Sequence, residues 1–258
     1  MRKRHAGQLK MGKWELWNFF AEEEMIRPYL PLTAIFSMQT LRSYLTMYAL
    51  VFVKPDRGRG GRGVVKIWRG KNGEYAFVRE RGSITRCKTI ETLYRRLTQG
   101  IHPGARYIIQ QGIRLPTLRG RPFDIRLTMM RVNGCWKYVG ALARVAGPDS
   151  AITNIARGRG NVAEVRQTLK KSLGIRDHAL VALEDEMKEL GHKVCERYDE
   201  LHTYWQVGLD LAVDIHQKIW IIEENTVVDQ SLFARLKDQS MYRDMQRITR
   251  ARTLNEGR

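Results

Sequence analysis

Short apolar strand patterns recur in adjacent pairs along this chain, and helices divide the pairs in no repeating order. Val64–Trp68 and Tyr75–Val78 are separated by Gly70 and Asn72-Gly73, and Asp124–Val132 is joined to Trp136–Val145 by Asn133-Gly134. An Asn-Gly pair between two such runs is a hairpin signal. Leu209–Ile215 and Lys218–Ile222 form a third pair, and Ala49–Val53 and Tyr107–Gln110 read as further strands. Runs of hairpins and helices without a repeating βαβ order predict an α+β fold over a parallel doubly wound sheet.

The helices have their own signals. Ser37 can cap a helix through Tyr48, with Met38, Leu41, Leu45 and Tyr48 at spacings of three and four. Thr89 can cap another through Gln99, with Ile90, Leu93 and Leu97 on one face. Trp14–Phe20, Val162–Leu173, Asp177–His202 and the polar, basic tail from Leu232 also read as helical. At 258 residues the chain can form one large domain or two small lobes. No apolar run reaches the length of a membrane span, and no apolar signal region follows the basic start. Cys87, Cys135 and Cys195 lie far apart with no C-x-x-C pair, which suits reduced thiols in a cytoplasmic protein.

The net charge of +18 draws anions: nucleic acid, an acidic membrane surface or a polyanionic substrate. The basic residues are spread along the chain and many stand beside glycines. Neither zinc-finger spacing nor an RNP-like stretch occurs, so nucleic acid is the less favoured partner.

Gly58-Arg59-Gly60-Gly61-Arg62-Gly63 has the spacing G-x-G-x-x-G. A dinucleotide site needs that motif between a strand and a helix, but Val64–Trp68 reads as a second strand. A Walker loop is also excluded, because no Gly-Lys-Ser/Thr ends the run. A glycine-rich hairpin loop remains, whose N–H groups can face phosphate oxygens or simply solvent. Lys54, at the end of the preceding strand, can add a point charge to the same anion.

Near the end of the chain, Trp220-Ile221-Ile222 runs into Glu223-Glu224-Asn225. On a strand, Glu223 and Asn225 share a side and Glu224 points away. Asp210 lies on the preceding strand, with Asp214 on the same face. Hard oxygen donors grouped this way suit magnesium, which takes one or two carboxylates together with phosphates and water. A solvated strand edge is the alternative reading of the acidic pair.

In order and spacing these parts resemble ATP-grasp enzymes: a lysine-ending strand, a glycine loop, a strand with a polar exit, Asp124-x-Arg126, Arg144 then Thr153-Asn154, and Asp210 followed by Glu223-x-Asn225. Gly12-Lys13-Trp14-Glu15, Leu30-Pro31-Leu32-Thr33 and Gly208–Asp214 resemble the YheC/YheD type associated with spore coats. Phe123–Arg126 and Arg144-Val145 are similar to ribosomal-protein glutamate ligases.

The resemblance implies two α+β lobes with ATP between antiparallel sheets, the usual N-terminal domain being reduced to residues 1–36 or absent. It implies a helical lead-in over 1–36, lobes over 37–111 and 112–232, and a basic tail over 233–258. Lys13 and Lys54 would hold ATP phosphates, covered by Gly60, Gly61 and Gly63. Gln110, Gln111 and Ile113 would border adenine. Asp210, Glu223 and Asn225 would bind magnesium or manganese. Arg126, Arg144 and Asn154 would be catalytic.

The implied activity is carboxylate–amine ligation through an acylphosphate, with an acidic peptide or polymer as a candidate substrate. The alternatives are an ATP-binding spore-coat scaffold without catalysis and a basic nucleic-acid-binding protein. Asp210→Ala or Glu223→Ala is expected to abolish ATP turnover and leave the fold intact.

Overall fold

A computed structural model describes residues 11–58, 61–70, 72–79, 82–102, 104–147 and 160–256. Two six-stranded sheets face each other, and every described strand pairing is antiparallel.

The first sheet has the order β1-β6-β2-β3-β4-β5. Its strands are β1 (Thr33–Ile35), β2 (Leu50–Pro55), β3 (Val65–Arg69), β4 (Tyr75–Arg79), β5 (Thr85–Cys87) and β6 (Tyr107–Gln111). Helices α2 (Met38–Met47) and α3 (Ile90–Thr98) cover one face, where Leu41, Leu45, Leu93 and Leu97 pack on Val51, Val53, Ile67 and Ile109. Both caps form as the sequence suggests. Ser37 Oγ accepts from Thr40 N at 3.1 Å, and Thr89 Oγ1 accepts from Thr92 N at 3.2 Å. The period of two sends Val51 and Val53 into this core and turns Phe52 and Lys54 to the opposite face.

The second sheet has the order β10-β9-β8-β11-β12, with β7 on the edge of β8. Its strands are β7 (Thr117–Leu118), β8 (Arg121–Val132), β9 (Cys135–Val145), β10 (Asn161–Ala163), β11 (Gln206–Val213) and β12 (Ile219–Asn225). The β8–β9 turn uses Asn133 at φ 51° and Gly134 at φ 83°, the conformation that an Asn-Gly hairpin requires. Helices α1 (Lys13–Ala21), α4 (Val165–Leu173) and α5 (Asp177–Asp199) bury one face around Phe123, Ile125, Leu127, Leu209 and Leu211. Helix α6 (Ser240–Glu256) and the 3₁₀ turn Gln230–Arg235 cover part of the other face through Phe233, Leu236 and Met245. The uncovered remainder of that face looks onto the first sheet.

Three sequence readings change. Thr33–Ile35, inside the helical lead-in, is a strand paired with β6, while Phe20, Ile26 and Leu30 from the same stretch enter the second core. Val162 and Ala163 do not begin a helix; they pair with Arg144 and Ala143, and α4 starts at Val165. Asp214 lies beyond the end of β11 and holds a turn. Its carboxylate accepts from His216 N at 2.8 Å, Lys218 N at 3.1 Å and Trp220 Nε1 at 2.9 Å. It lies outside the inter-sheet cleft that Asp210 faces and does not extend that residue's strand face.

Candidate functional site

Between the two sheets lies a cleft of about 620 Å³, within the usual range for a small-molecule site. From the first sheet it is lined by Phe52 and Lys54 of β2, Lys66 of β3 and Gln110 of β6. From the second it receives Arg126 of β8, Arg144 of β9, Asp210 of β11, and Glu223 and Asn225 of β12. Lys13, Gly61, Gln111 and Ile113 line the same space. Gly63 stands behind it against Pro55, at φ 73°, where an added Cβ would meet Pro55 Cγ at 2.9 Å. Gly60 and Asn154 lie outside the described residues.

The lysines are held by polar partners. Lys54 Nζ donates to Gln110 Oε1 at 2.6 Å, and Gln110 Nε2 donates to Thr33 Oγ1 at 3.0 Å. Burial pushes the Lys54 ammonium down to about 8, partly offset by the charge of Glu223. Lys13 Nζ donates to Gly58 O at 3.0 Å and pairs with Glu223 Oε1 at 3.2 Å. It thus spans from the glycine loop to the opposite wall.

That opposite wall carries a buried charge network. Arg126 Nε pairs with Asp210 Oδ1 at 2.5 Å, and Arg144 Nη2 pairs with Asp210 Oδ2 at 2.7 Å. Arg144 Nε also donates to Asp124 Oδ1 at 2.7 Å. Burial alone would raise the Asp210 carboxyl, but the charges of Arg144 and Arg126 outweigh it and hold it below its ordinary value. Burial likewise opposes the charge on Arg144, yet Asp210 and Asp124 hold it firmly protonated. Glu224 turns away from the cleft, and burial beside Glu223 pushes it up to about 7.

A β-bulge decides which face Glu223 and Asn225 take. Asp210 pairs with Glu223 and Leu211 with Ile221, so Ile222 is the extra residue. Ile219 and Ile221 therefore enter the core, while Glu223 and Asn225 face the cleft.

No group of three His, Cys, Asp or Glu able to hold a metal by itself occurs among the described residues. Among the groups lining the cleft, Asp210 and Glu223 offer carboxylates and Asn225 an amide oxygen, while the Asn225 Nδ2 donor is buried without a hydrogen-bond partner. Such a set fits a hard divalent cation whose remaining ligands come from phosphate and water.

Lys66, Phe52, Arg62 and Arg114 also line the cleft and were not given a role from the sequence, nor was Asp124. Asp124 was legible as part of Asp124-x-Arg126, because the two share a strand face. A larger groove of about 1040 Å³ runs between α6 and the β8–β9 hairpin. Its arginines are engaged: Arg131 with Asp199, Arg247 with Asp244 at 3.0 Å, and Arg252 over Trp205 at 4.5 Å. One lysine, Lys137, and one carboxylate, Asp244, line it, and that carboxylate is paired with Arg247.

The family profile described as YheC/D like ATP-grasp matches residues 3–250. The chain belongs to this ATP-grasp family. It is 22% identical over 234 residues to the endospore coat-associated protein YheD of Bacillus subtilis, covering 86% of this chain and 49% of the relative. It is 24% identical over 222 residues to YheC of the same organism, described in the same words, covering 83% and 59%. The chain thus spans about half the length of these relatives. Among solved structures it is similar to the C-terminal domain of Pby1 from K. lactis, described as an ATP-grasp enzyme interacting with the mRNA decapping enzyme Dcp2. That match has a TM-score of 0.54 at 15% identity and covers 92% of this chain and 70% of the other. The two facing antiparallel sheets are the ATP-grasp fold, which in general binds ATP and a divalent metal.

Proposed function

We propose that this chain is an ATP- and magnesium-dependent carboxylate–amine ligase with the inter-sheet cleft as its site. One observation carries the reading: Lys54 and Lys13 meet Asp210, Glu223 and Asn225 across a single cleft. Cations on one side suit phosphates, and hard oxygen donors on the other suit the metal that accompanies them. Manganese has the same preference for oxygen and is an alternative to magnesium.

A bound divalent cation supplies charge neutralisation at phosphate oxygens. The residues of the chain supply position and further charge. Lys54 and Lys13 offer ammonium groups to the phosphates, and Gly61 of the glycine loop lines the same space, where it would cover them. Gln110 holds Lys54 in place, a side-chain role beyond bordering adenine. Gln111 and Ile113 line the cleft where the base would lie. Asp210, Glu223 and Asn225 are the residues that would hold the metal. Arg126 and Arg144 place guanidinium charge beside the same carboxylate, where it can stabilise a transferring phosphoryl group and an oxyanion.

In the proposed reaction a substrate carboxylate oxygen attacks the γ-phosphorus as the bond to the departing ADP breaks. An amine then attacks the acylphosphate carbon, a C–N bond forms, and inorganic phosphate leaves with the C–O bond electrons. The lobe division is taken as 37–111 and 112–232, flanked by 1–36 and 233–258. The +18 charge suits an acidic peptide or polymer as substrate, for which salt-insensitive binding would be contrary evidence. The free cysteines suit a cytoplasmic setting, and no described helix is long and apolar enough to cross a membrane.

The test is incubation with magnesium-ATP and a panel of carboxylates and amines, following ADP and product mass. ADP release that requires both substrates, with a condensed product, is the expected result. A second reading draws on the names of the curated relatives: an ATP-binding spore-coat scaffold. It predicts a nucleotide-raised melting temperature with no ADP or phosphate released.

A further inference from the structure

Helix α1 starts at the nucleotide cleft and ends in the core of the second lobe, yet its first turn is fastened to the first lobe. Lys13 N donates to Asp56 O at 2.9 Å, and Trp14 N donates to Asp56 Oδ1 at 2.8 Å. Gly12 N donates to Glu15 Oε2 at 2.8 Å. The first N–H groups of a helix have no partner within it, so these bonds fix where the helix begins.

Asp56 itself is 2% exposed, directly after β2. Its second carboxylate oxygen accepts from Arg106 Nε at 2.7 Å. Arg106 Nη2 then reaches Glu15 Oε1 at 3.0 Å and closes a ring of contacts around the helix start. A Cβ on Gly12 would stand 2.2 Å from Asp56 Oδ2, so the helix comes this near the carboxylate only with glycine there.

Lys13 is the first residue of the helix, and the residues on both sides of it are tied down. A lysine side chain has many accessible rotamers, so an unanchored one would sample many directions. Here its Nζ is directed between Gly58 O and Glu223. The far end of the helix is anchored separately, with Phe20 against Tyr198 at a ring separation of 5.0 Å. Docking of the helix is thus provided for by the second core, whereas the aim of Lys13 depends on Asp56.

We infer that Asp56, supported by Gly12, Glu15 and Arg106, is a positioning residue that directs the Lys13 ammonium at the phosphates of the bound nucleotide. The inference rests on the nucleotide reading of the cleft. Asp56 acts through Lys13 and touches no substrate, so its effect on binding is conditional on that lysine. It is also confined to ligands that carry phosphates.

The test is a double-mutant cycle read as dissociation constants for magnesium-ATP and for adenosine, by titration calorimetry. The proteins are the unmodified chain, Lys13→Met, Asp56→Asn and the pair together. Each single change is expected to weaken ATP binding about tenfold, the worth of about 1.4 kcal/mol. Adenosine binding stays unchanged, and Asp56→Asn adds less than about twofold once Lys13 is absent. Should Asp56→Asn not fold, Glu15→Gln, at the exposed edge of the same ring, takes its place in the cycle.

The inference is overturned if the substitution lowers the melting temperature but leaves ATP affinity unchanged, or if it weakens the Lys13→Met protein as much as the original. It is also overturned if Lys13→Met leaves ATP affinity unchanged. Absence of ATP binding by the unmodified chain would sink the nucleotide reading itself, an outcome visible before any variant is compared.

Discussion

Asp210 and Glu223 are cross-strand partners facing one cleft, and the bulge at Ile222 lets Glu223 do so while Ile221 remains in the core. Their surroundings differ. The Asp210 side chain is 7% exposed and paired with Arg126 and Arg144, themselves nearly shielded, whereas the Glu223 side chain is 36% exposed and paired with Lys13.

That contrast separates the two residues in what their removal is expected to cost the fold. Asp210→Ala leaves Arg126 and Arg144 short of a buried counter-charge and should cost roughly 3–5 kcal/mol of stability. Glu223→Gln keeps the volume and should cost at most about 1 kcal/mol. Both should remove metal-dependent ATP turnover. Denaturant unfolding beside an ADP-release assay checks the pair, and an Asp210→Ala protein as stable as the original would contradict the network described.

Lys54 should make ATP affinity depend on pH. Its ammonium, pushed down to about 8, is charged below that pH and neutral above it, so affinity should fall as pH rises through about 8. Stability moves the other way. The folded chain bears the cost of the buried charge below about 8, and this cost fades as pH climbs toward the ordinary lysine value of about 10.4. Lys54→Arg keeps its charge throughout and should flatten the affinity profile, measured by calorimetric titration from neutral to alkaline pH.

Gln110 supplies the acceptor for that ammonium. Gln110→Leu should cost about 1–3 kcal/mol, because Lys54 loses its nearest polar partner in a buried position. The fall in ATP affinity should also move to lower pH, since the charged form is then less well solvated. Gln110→Glu should move it to higher pH. Equal profiles in the two variants would show that Gln110 does not govern Lys54.

Asp214 offers a contrasting case. Its carboxylate accepts three hydrogen bonds in the β11–β12 turn, so Asp214→Ala should lower stability by about 1–3 kcal/mol. ATP affinity and metal dependence should stay unchanged, because Asp214 does not line the cleft. A loss of metal dependence would restore it as a ligand candidate.

Much of this site could be read from the order of motifs. Eleven residues named from the family resemblance, among them Lys13, Lys54, Arg126, Arg144, Asp210, Glu223 and Asn225, line one cleft. What could not be read was their partners. Arg126 and Asp210 lie 84 positions apart, and their pairing follows from β8 lying beside β11. Asp56 gave no signal at all, since its role depends on a helix start 42 residues earlier in the chain. The strands Thr33–Ile35 and Asn161–Ala163 were missed because three residues carry too little periodicity to declare themselves.

The sequence by itself determined the local geometry: the caps at Ser37 and Thr89, the turn at Asn133-Gly134, and the alternation that turns Val51 and Val53 inward and Lys54 outward. These follow from steric and hydrogen-bonding preferences that act over a few neighbouring residues. Tertiary structure alone decided that Asp210 is held by two arginines, that Ile222 bulges and that Asp56 fastens the first turn of α1. Each of these depends on strands and helices brought together from distant parts of the chain, where burial makes an unpaired charge costly and so selects the partner.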